Sequence, residues 1–343
     1  MNIGLSDGKI YNFCTLFDKN YLFKGLAVIF SLERFIKDFN FYVLCLDDTT
    51  LEILSKLNKK NLILIKLDEI ENWDKRLLEV KKQRTFKEYC WTLASNLCRF
   101  ILETKNIEMI TYLDSDIYFF NSPEVIFNEI KDRSIAIIEH RFSKNRKIFE
   151  EKAGKFNVSW VSFKNDNFGK EALNWWSEKV IEWCYDRYEN GRFGDQKYLD
   201  DWPERFKGVY IIQNVGTNVA PWNIKDYKLE EKDQNLSVND KPLIFYHFHG
   251  FHLIRAGDKI EYTIGNYYIP FDVKKLIYEP YFKELLNIIG LLKTIKKDFD
   301  IKYKNLSFKD KCAKILFCNS LFESIILFFL KIKNKLKNEI FDN

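Results

Sequence analysis

The sequence is poor in glycine and proline, with 13 Gly and 6 Pro among 343 residues. This scarcity excludes collagen-like and low-complexity structure, and a hydrophobic content of 46% is sufficient for a sizeable globular core. The nucleotide-binding signatures GxGxxG and GxxxxGKS/T are absent, as is the zinc-binding signature HExxH. A dinucleotide-binding fold, a phosphate loop and a zinc hydrolase are therefore disfavoured.

The seven cysteines form no CxxC pair or other metal-binding spacing. An odd number of cysteines without such spacing is typical of free thiols in a reducing compartment. The first residues also lack the basic segment followed by an apolar segment that a secretory signal has. We therefore expect a cytoplasmic protein.

The formal net charge of +5 is concentrated near the C-terminus, where residues 301–343 contain nine Lys and four acidic residues. The preceding 300 residues are neutral overall. A neutral body gives no support to a broad nucleic-acid-binding surface, so we expect no nucleic-acid partner.

Strand and helix patterns alternate along the first part of the chain. This alternation predicts an α/β protein with a mostly parallel central sheet flanked by helices, whose ligands gather at the carboxyl ends of the strands. The predicted strands are residues 11–17, 41–46, 62–65, 109–120, 135–138, 157–163, 209–212 and 243–252, and the main predicted helices are residues 21–35, 50–57, 87–102 and 170–188.

The segment 109–120 is apolar, aromatic and β-branched, but it contains Asp114 and Asp116. If the strand is extended, both carboxylates project to the same face, and their charges repel unless a cation or protonation relieves them. Oxygen ligands favour Mg²⁺ or Mn²⁺, which also bind phosphate oxygens of substrates. The alternative is that one Asp ends the strand and the other begins the turn at Asn121.

A second unusual strand carries three of the four histidines of the chain, in the segment 243–252. His247 and His249 share a face of this strand, and Gly250 allows the backbone to approach a ligand closely. The cluster indicates a metal or phosphate role, whereas a single His in this position is more often a hydrogen-bonded core residue.

Two further candidates have equally simple structural explanations. Arg99 is a lone arginine in an apolar helical pattern; it either extends to the surface or binds a phosphate or sugar. Asp195 follows a glycine-flanked loop at a predicted helix start, where it is either an N-cap or, together with Gln196, part of a site.

The chain is predicted to be helical from about residue 271. Residues 315–330 are strongly apolar but include Asn319 and Glu323, so they make a poor transmembrane span. Four lysines follow at alternate positions from Lys331 to Lys337. This combination fits a peripheral anchor on the anionic inner face of the cytoplasmic membrane; the alternative is a helix packed on the domain or on a second subunit.

The ordered set of motifs resembles the family-eight retaining glycosyltransferases, which include bacterial lipopolysaccharide hexosyltransferases and glycogenin. The resemblance spans roughly residues 10–255. Its motifs are Leu16-Phe17-Asp18-Lys19-Asn20-Tyr21, Arg99, Tyr112-Leu113-Asp114-Ser115-Asp116, Asn157, Asp195-Gln196, and His247 three residues before Gly250. The implied fold is the GT-A type, with a catalytic domain at residues 1–265 and a helical C-terminal extension at residues 266–343.

The resemblance also implies roles for individual residues. Asp114, Asp116 and His247 are expected to bind Mn²⁺ or Mg²⁺ that bridges the diphosphate of a nucleotide-sugar, Arg99 and Asn157 to contact the donor sugar, and Gln196 to lie near its anomeric carbon. Ser115 lies in the same motif and is expected to contact the nucleotide-sugar. The nucleoside is expected to be held by Leu16, Phe17, Asp18, Asn20 and Tyr21.

The chain departs from the family pattern in two places. The family commonly has Asn-x-Gly where this chain has Asn157-Val158-Ser159, and a Lys-Pro-Trp after the His-x-x-Gly that is absent here. His252 or Arg255 is the candidate replacement for the diphosphate contact made by that Lys.

The expected activity is metal-dependent transfer of a hexose from a nucleotide-diphosphate sugar to a glycan or glycolipid acceptor, in bacterial surface polysaccharide synthesis. Retention is expected through front-face attack; if the enzyme inverts, Asp195 is the candidate base. One alternative is a metal-dependent phosphoesterase or nucleotidyltransferase, which would also use paired carboxylates and His. Another is a non-catalytic sugar- or membrane-binding protein with a degenerate site.

Overall fold

The computed structural model describes residues 10–306 and the single residue 325. The apolar segment 315–330 and the lysines that follow it, on which the predicted membrane anchor depends, lie outside the described residues apart from residue 325. In the part of the chain that is described, no helix combines the length and the apolar character needed to cross a bilayer.

Within residues 10–306, the strands and helices follow the predicted alternation. The strands are β1 (Tyr11–Phe17), β2 (Phe39–Cys45), β3 (Leu62–Lys66), β4 (Met109–Leu113), β5 (Ile117–Phe119), β6 (Ile135–Glu139), β7 (Phe156–Lys164), β8 (Val209–Ile211), β9 (Leu229–Lys232), β10 (Asn235–Val238), β11 (Lys241–Pro242), β12 (Phe245–His247), β13 (His252–Ala256) and β14 (Lys259–Thr263). The α-helices are α1 (Leu22–Glu33), α2 (Asp48–Leu57), α3 (Leu67–Trp73), α4 (Arg76–Gln83), α5 (Phe86–Thr104), α6 (Glu124–Ile130), α7 (Phe149–Ala153), α8 (Asn167–Glu182), α9 (Trp202–Arg205), α10 (Phe271–Val273) and α11 (Glu279–Ile295).

The central sheet has seven strands in the order β3-β2-β1-β4-β7-β6-β8. Its pairs are parallel except for those of β7, which runs antiparallel to both β4 and β6. The prediction of a mostly parallel sheet flanked by helices is therefore confirmed. Because β7 is reversed, its first residues lie at the same edge as the carboxyl ends of β1, β4 and β6, where the candidate site residues gather.

Both faces of the sheet are covered, which explains why its strands are almost continuously apolar. Along β1, Phe13 and Phe17 belong to one hydrophobic core, which also contains the apolar residues of α1. Cys14 and Leu16 point to the opposite face, into a second core that contains the apolar residues of α5. Helix α5 begins with a capping box in which the Thr85 hydroxyl accepts from the Glu88 amide and the Glu88 carboxylate accepts from the Thr85 amide.

The prediction of one continuous strand over residues 109–120 is wrong. Strand β4 ends at Leu113, its last residue paired with β7, and a turn at Asp114, Ser115 and Asp116 separates it from β5. Strand β5 leaves the central sheet and pairs antiparallel with β12, with Ile117 opposite His247. Buried carboxylates are poorly accommodated within a ladder packed on both faces, and a turn at the edge of the sheet lets them meet a cation.

The predicted strand over residues 243–252 is also interrupted. Strand β12 ends at His247, and the chain turns at His249 and Gly250 before β13 begins at His252. Gly250 has a φ of +75°, a conformation that an L side chain rarely adopts. His247 and His249 therefore do not lie on one face of a single strand.

Helix α11 packs on the body of the protein. Tyr281, Leu285 and Ile288 are buried in the same core as Phe13 and the apolar face of α1. The Tyr281 ring stacks on Phe248, just after β12, with 3.6 Å between the ring centroids. The described part of the predicted C-terminal extension thus supports the loop that follows His247, while the predicted division at residue 265 stays a prediction.

Trp160 of β7 connects the central sheet to β12. Its fully buried ring stacks on Phe245 of β12 and also contacts Phe13 and Phe127. We expect Trp160→Ala to lower the free energy of unfolding, measured by urea denaturation, by about 3–5 kcal/mol, because it leaves a large cavity between the two sheets.

The control for this variant is Phe168→Ala, since Phe168 is 43% exposed on α8. Removal of this exposed ring should change the free energy of unfolding by less than about 1 kcal/mol. Similar losses in the two variants would contradict the bridging role of Trp160.

Candidate active site

Asp114, Asp116 and His247 converge at the carboxyl edge of the central sheet. The His247 Nε2 atom lies 3.1 Å from Asp116 Oδ1 and 3.8 Å from Asp114 Oδ2. One ligand atom from each of the three residues lies within 4.8 Å of the others, and in the described residues this is the group with the geometry of a metal site. The His247 side chain is 4% exposed and the two carboxylates are 28% and 17% exposed, so the group is open to the surface on its carboxylate side.

Backbone hydrogen bonds fix this arrangement from three directions. The Asp114 amide donates to the Ser159 carbonyl of β7 over 3.3 Å, and the Phe248 amide donates to the Asp116 carbonyl over 2.8 Å. The His247 amide donates to the Val219 carbonyl over 2.8 Å. The acidic turn is thus held by the residue that directly follows His247 in the chain.

The electrostatics of the group favour a positive charge between the carboxylates. Burial raises the pKa of Asp114 to about 6, with the neighbouring charge of Asp116 acting in the same direction and His247 against it. Burial alone would also raise the pKa of Asp116, but His247 and its hydrogen bond outweigh it and hold that pKa low. In turn the two carboxylates outweigh burial and raise the pKa of His247.

Two carboxylate oxygens and one imidazole nitrogen are a donor set that suits Mn²⁺ and Mg²⁺. The imidazole is oriented by packing, because the Trp222 ring lies edge-on to it with 5.0 Å between centroids. Its second nitrogen, Nδ1, is buried and has no hydrogen-bond partner in the described structure, so Nε2 is the nitrogen that the site presents. The residues present therefore fit a divalent cation.

The first-strand motif forms a tight turn leading into α1. The Asp18 carboxylate accepts hydrogen bonds from the Asn20 amide, the Asn20 side chain and the Tyr21 amide. Tyr21 is 37% exposed, so its ring is available to a ligand. Leu16 and Phe17 are instead buried in the two cores, and their side chains present no open surface.

Asp195 and Gln196 begin a short 3₁₀ segment close to the acidic turn. Asp195 is buried and occupies the N-cap position of this segment, but its side chain forms no capping hydrogen bond. Burial, and to a smaller extent the charge of Asp114, raise its pKa to about 8. The Gln196 amide nitrogen donates to the Ala153 carbonyl of α7 over 2.6 Å, which orients its side chain.

Arg99 lies in a surface cluster of charges. Its guanidinium pairs with Glu103 on its own helix and with Glu178 on α8, and it also lies 5.2 Å from the centre of the Trp73 ring. These contacts match the surface explanation given for Arg99, and none of them joins it to Asp114 or Asp116.

Asn157 belongs to a buried polar pair with His140. Its amide nitrogen lies 3.2 Å from His140 Nε2, and its amide oxygen accepts from the Ser159 backbone. The pKa of His140 is lowered to about 3 by burial and by the charge of His247. The predicted sugar contact by Asn157 stays a prediction.

The remaining histidines and Arg255 take separate positions. His249 is exposed and pairs through Nδ1 with the Tyr267 hydroxyl over 3.0 Å, so only His247 joins the carboxylates. His252 lines a cavity beside α1. Arg255 is exposed near the opposite end of β13, with its guanidinium over the Tyr303 ring.

Sequence reasoning missed Lys24 of α1. Its side chain is buried, and its Nζ donates to the Phe251 carbonyl over 2.8 Å. The available signal was a single lysine in the apolar segment Leu22–Ile29, three residues after Tyr21. Sequence reasoning also missed Trp222, because nothing in the local sequence indicates that it packs on His247.

Solved structures were compared with this fold. The galactosyltransferase LgtC, in complex with donor and acceptor sugar analogs, superposes with a TM-score of 0.52 over 88% of this chain and 99% of that chain, at 13% identity. An active-site mutant of LgtC superposes with a TM-score of 0.51 over the same shares, also at 13% identity. At this identity the likeness shows the fold alone, and it confirms the predicted GT-A type.

Sequence comparisons go further than the fold. The model of glycosyl transferase family 8 matches residues 12–200. Two proteins of Bacillus subtilis (strain 168), the uncharacterized proteins YfnD and YfnF, are 35% and 32% identical to this chain; each alignment covers 84% of this chain, and 93% and 96% of the relatives. The chain belongs to glycosyl transferase family 8, and it is a glycosyltransferase.

Proposed function

We propose that this glycosyltransferase is metal-dependent and moves a hexose, with retention, from a nucleoside-diphosphate sugar to a glycan or glycolipid acceptor in bacterial surface polysaccharide synthesis. The observation that carries the proposal is the convergence of Asp114, Asp116 and His247 at the carboxyl edge of the sheet. A divalent metal held there, Mn²⁺ or Mg²⁺, would supply Lewis-acid stabilisation of the charge that develops on the leaving diphosphate.

The protein side chains have distinct proposed roles around this centre. The turn at Asp18 and Asn20 and the exposed ring of Tyr21 hold the nucleoside, since they lie at the carboxyl end of β1. Ser115, on the acidic turn, contacts the nucleotide-sugar. Gln196, whose amide is oriented by the Ala153 carbonyl, supports the positive charge at the anomeric carbon.

The protonation of Asp195 favours retention over inversion. With a pKa of about 8, the Asp195 carboxyl group is protonated in most molecules at pH 7. A protonated carboxyl group donates a hydrogen bond to a sugar hydroxyl and does not act as a base. Front-face attack, in which the leaving phosphate accepts the proton of the acceptor hydroxyl, needs no such base.

Peripheral attachment to an anionic inner membrane surface is part of the proposal. It is supported by the sequence, in which the apolar residues 315–330 precede the lysines from Lys331 to Lys337. An acceptor carried by a membrane lipid would then meet the active site without leaving the bilayer surface.

The first test measures metal binding directly. Mn²⁺ should raise the melting temperature of the wild-type protein, because a ligand at about 100 times its Kd adds about 2.7 kcal/mol to the stability of the native state. His247→Gln and Asp116→Asn should lose most of this shift, and EDTA should reverse it in the wild type. An unchanged Mn²⁺ shift in both variants would show that the ion binds elsewhere.

The second test measures turnover with a panel of UDP-, GDP-, ADP- and dTDP-sugars and Mn²⁺. Asp114→Asn and Asp116→Asn should each lower kcat at least about 100-fold, because each weakens charge stabilisation in the transition state. Asp132→Asn, a change at an exposed position of the α6–β6 loop, is the matched control and should be unaffected.

The product of this assay distinguishes the proposed reaction from its alternatives. Release of a nucleoside diphosphate agrees with glycosyl transfer, whereas release of inorganic phosphate or pyrophosphate would indicate a phosphoesterase or nucleotidyltransferase. Full activity of Asp114→Asn and Asp116→Asn would contradict the metal role of the acidic turn.

The third test addresses the protonation of Asp195 through stability. The folded pKa of about 8 exceeds the ordinary value of 3.8, so the folded state holds a proton that the unfolded state has lost between those pH values. The contribution of Asp195 to stability therefore falls as the pH rises from about 4 to 8. In urea denaturation with EDTA, Asp195→Asn should gain stability relative to the wild type between pH 5 and pH 9, while Asp132→Asn should show no such trend.

A further inference from the structure

The loop at residues 217–223, between β8 and β9, is buried along its whole length. Loops usually run over the surface, because the polar groups of a buried loop must all find partners inside the protein. Two residues of this loop contact the histidine of the candidate metal site. The Val219 carbonyl accepts the His247 amide, and the Trp222 ring packs on the His247 imidazole.

The carboxyl end of β6 holds this loop in place. The His140 carbonyl, directly after β6, accepts from the Trp222 indole nitrogen over 2.8 Å and from the Asn223 side chain over 2.9 Å. The Glu139 carbonyl accepts from the Asn218 side chain over 3.0 Å. The loop is therefore fixed to the edge of the central sheet at both of its ends.

Asn223 also fixes the shape of the loop itself. Its side-chain nitrogen donates to the Asn218 carbonyl over 3.0 Å, in addition to its bond to His140, and its side-chain oxygen accepts from the Ala220 amide over 2.9 Å. Both hydrogens of the amide nitrogen are thus used. Asn223 is 1% exposed, so its loss would remove three hydrogen bonds from a buried loop.

Trp222 connects this fixed loop to the imidazole of His247. The indole is 3% exposed, and its plane lies at 78° to the imidazole, with 5.0 Å between the ring centroids. The rings of His140 and His249 also pack on it, with centroids at 5.3 Å and 5.5 Å. Because the indole nitrogen is bonded to the His140 carbonyl, the ring has a defined orientation, and it limits the orientation of the imidazole beside it.

This ring contact matters because of the second nitrogen of His247. A histidine that binds a metal generally donates its other ring N–H to a carboxylate, a carbonyl or water, and this bond sets the orientation of the ring. The Nδ1 atom of His247 is buried, and no group among residues 10–306 pairs with it. The direction in which Nε2 points therefore depends on the side chains that pack around the imidazole.

We propose that Trp222 and Asn223 are positioning residues of the metal site, which fix the imidazole of His247 with Nε2 toward the carboxylates of Asp114 and Asp116. The proposal rests on the metal dependence in the proposed function. Asn223 sets the shape of the loop, the loop sets the position of the indole, and the indole sets the orientation of the imidazole. A ligand that is already oriented loses less freedom when the cation binds, so the affinity for the cation is higher.

The test measures Mn²⁺ binding to the full chain by titration calorimetry, without a nucleotide-sugar. Trp222→Leu and Asn223→Ala should each raise the Kd for Mn²⁺ about 10- to 100-fold, the usual effect of losing a group that orients a metal ligand. Trp222→Phe retains an aromatic ring beside His247 but loses the indole N–H. Its Kd should lie between those of the wild type and Trp222→Leu.

Matched controls separate the orientation of the imidazole from general stability. Trp202 is fully buried in the core that contains the apolar residues of α5, and Trp202→Leu should lower the free energy of unfolding, measured in urea with EDTA. Its Kd for Mn²⁺ should stay within about twofold of the wild-type value, because Trp202 does not contact His247. Trp73→Phe is the control for Trp222→Phe, since it also removes one indole hydrogen bond, to the Glu103 carboxylate over 3.2 Å.

The possible negative results have different meanings. If the wild type does not bind Mn²⁺ or Mg²⁺, the metal dependence in the proposed function fails. If the wild type binds Mn²⁺ and the Trp222 and Asn223 variants bind it equally well, the metal site stands and the positioning role is overturned. That role is also overturned if Trp202→Leu weakens binding as much as Trp222→Leu does. If Trp222→Leu does not fold, Trp222→Phe compared with Trp73→Phe decides between the same outcomes.

Discussion

The repulsion between Asp114 and Asp116 is the constraint on which the arrangement of the site depends. Two carboxylates on one short turn repel each other strongly where the protein leaves little water to screen them. The fold brings His247 to within 3.1 Å of Asp116, and the buried ammonium group of Lys24 acts on the same carboxylate. Positive charge from His247 of β12 and Lys24 of α1 thus stabilises the turn. These two residues are distant in sequence, and only the folded state brings them together.

The strand pairing explains how this is achieved. Strand β5 leaves the central sheet at the acidic turn and pairs with β12, so the end of β12 is opposite the start of β5. As a result, His247 provides the imidazole and Phe248 provides the backbone amide that bonds to Asp116. The stacking of Trp160 on Phe245 and of Tyr281 on Phe248 holds β12 on both sides, so core packing and site geometry depend on the same short strand.

Much of this organisation could be predicted from local sequence, because alternating strand and helix patterns specify the sheet, and paired carboxylates with a distant His stand out against an apolar background. The interruption at Asp114–Asp116 could not, since the flanking residues are equally apolar and only the choice of pairing partner, β7 before the turn and β12 after it, separates β4 from β5. Arg99 shows the opposite limit: a lone arginine is conspicuous in sequence, yet Glu103 and Glu178 account for its charge at the surface.

Asp195 and Asp116 illustrate how one residue type takes two charge states within a single site. Burial dominates at Asp195 and raises its pKa to about 8, whereas His247 and Lys24 overcome burial at Asp116 and keep it ionised. Under the proposed function, the side of the site that receives the leaving diphosphate therefore contains the cations, and the side that holds the sugar presents a neutral acid and an amide. Negative charge that moves from the anomeric carbon to the diphosphate would then be stabilised by the divalent cation that Asp114, Asp116 and His247 hold under the proposed function.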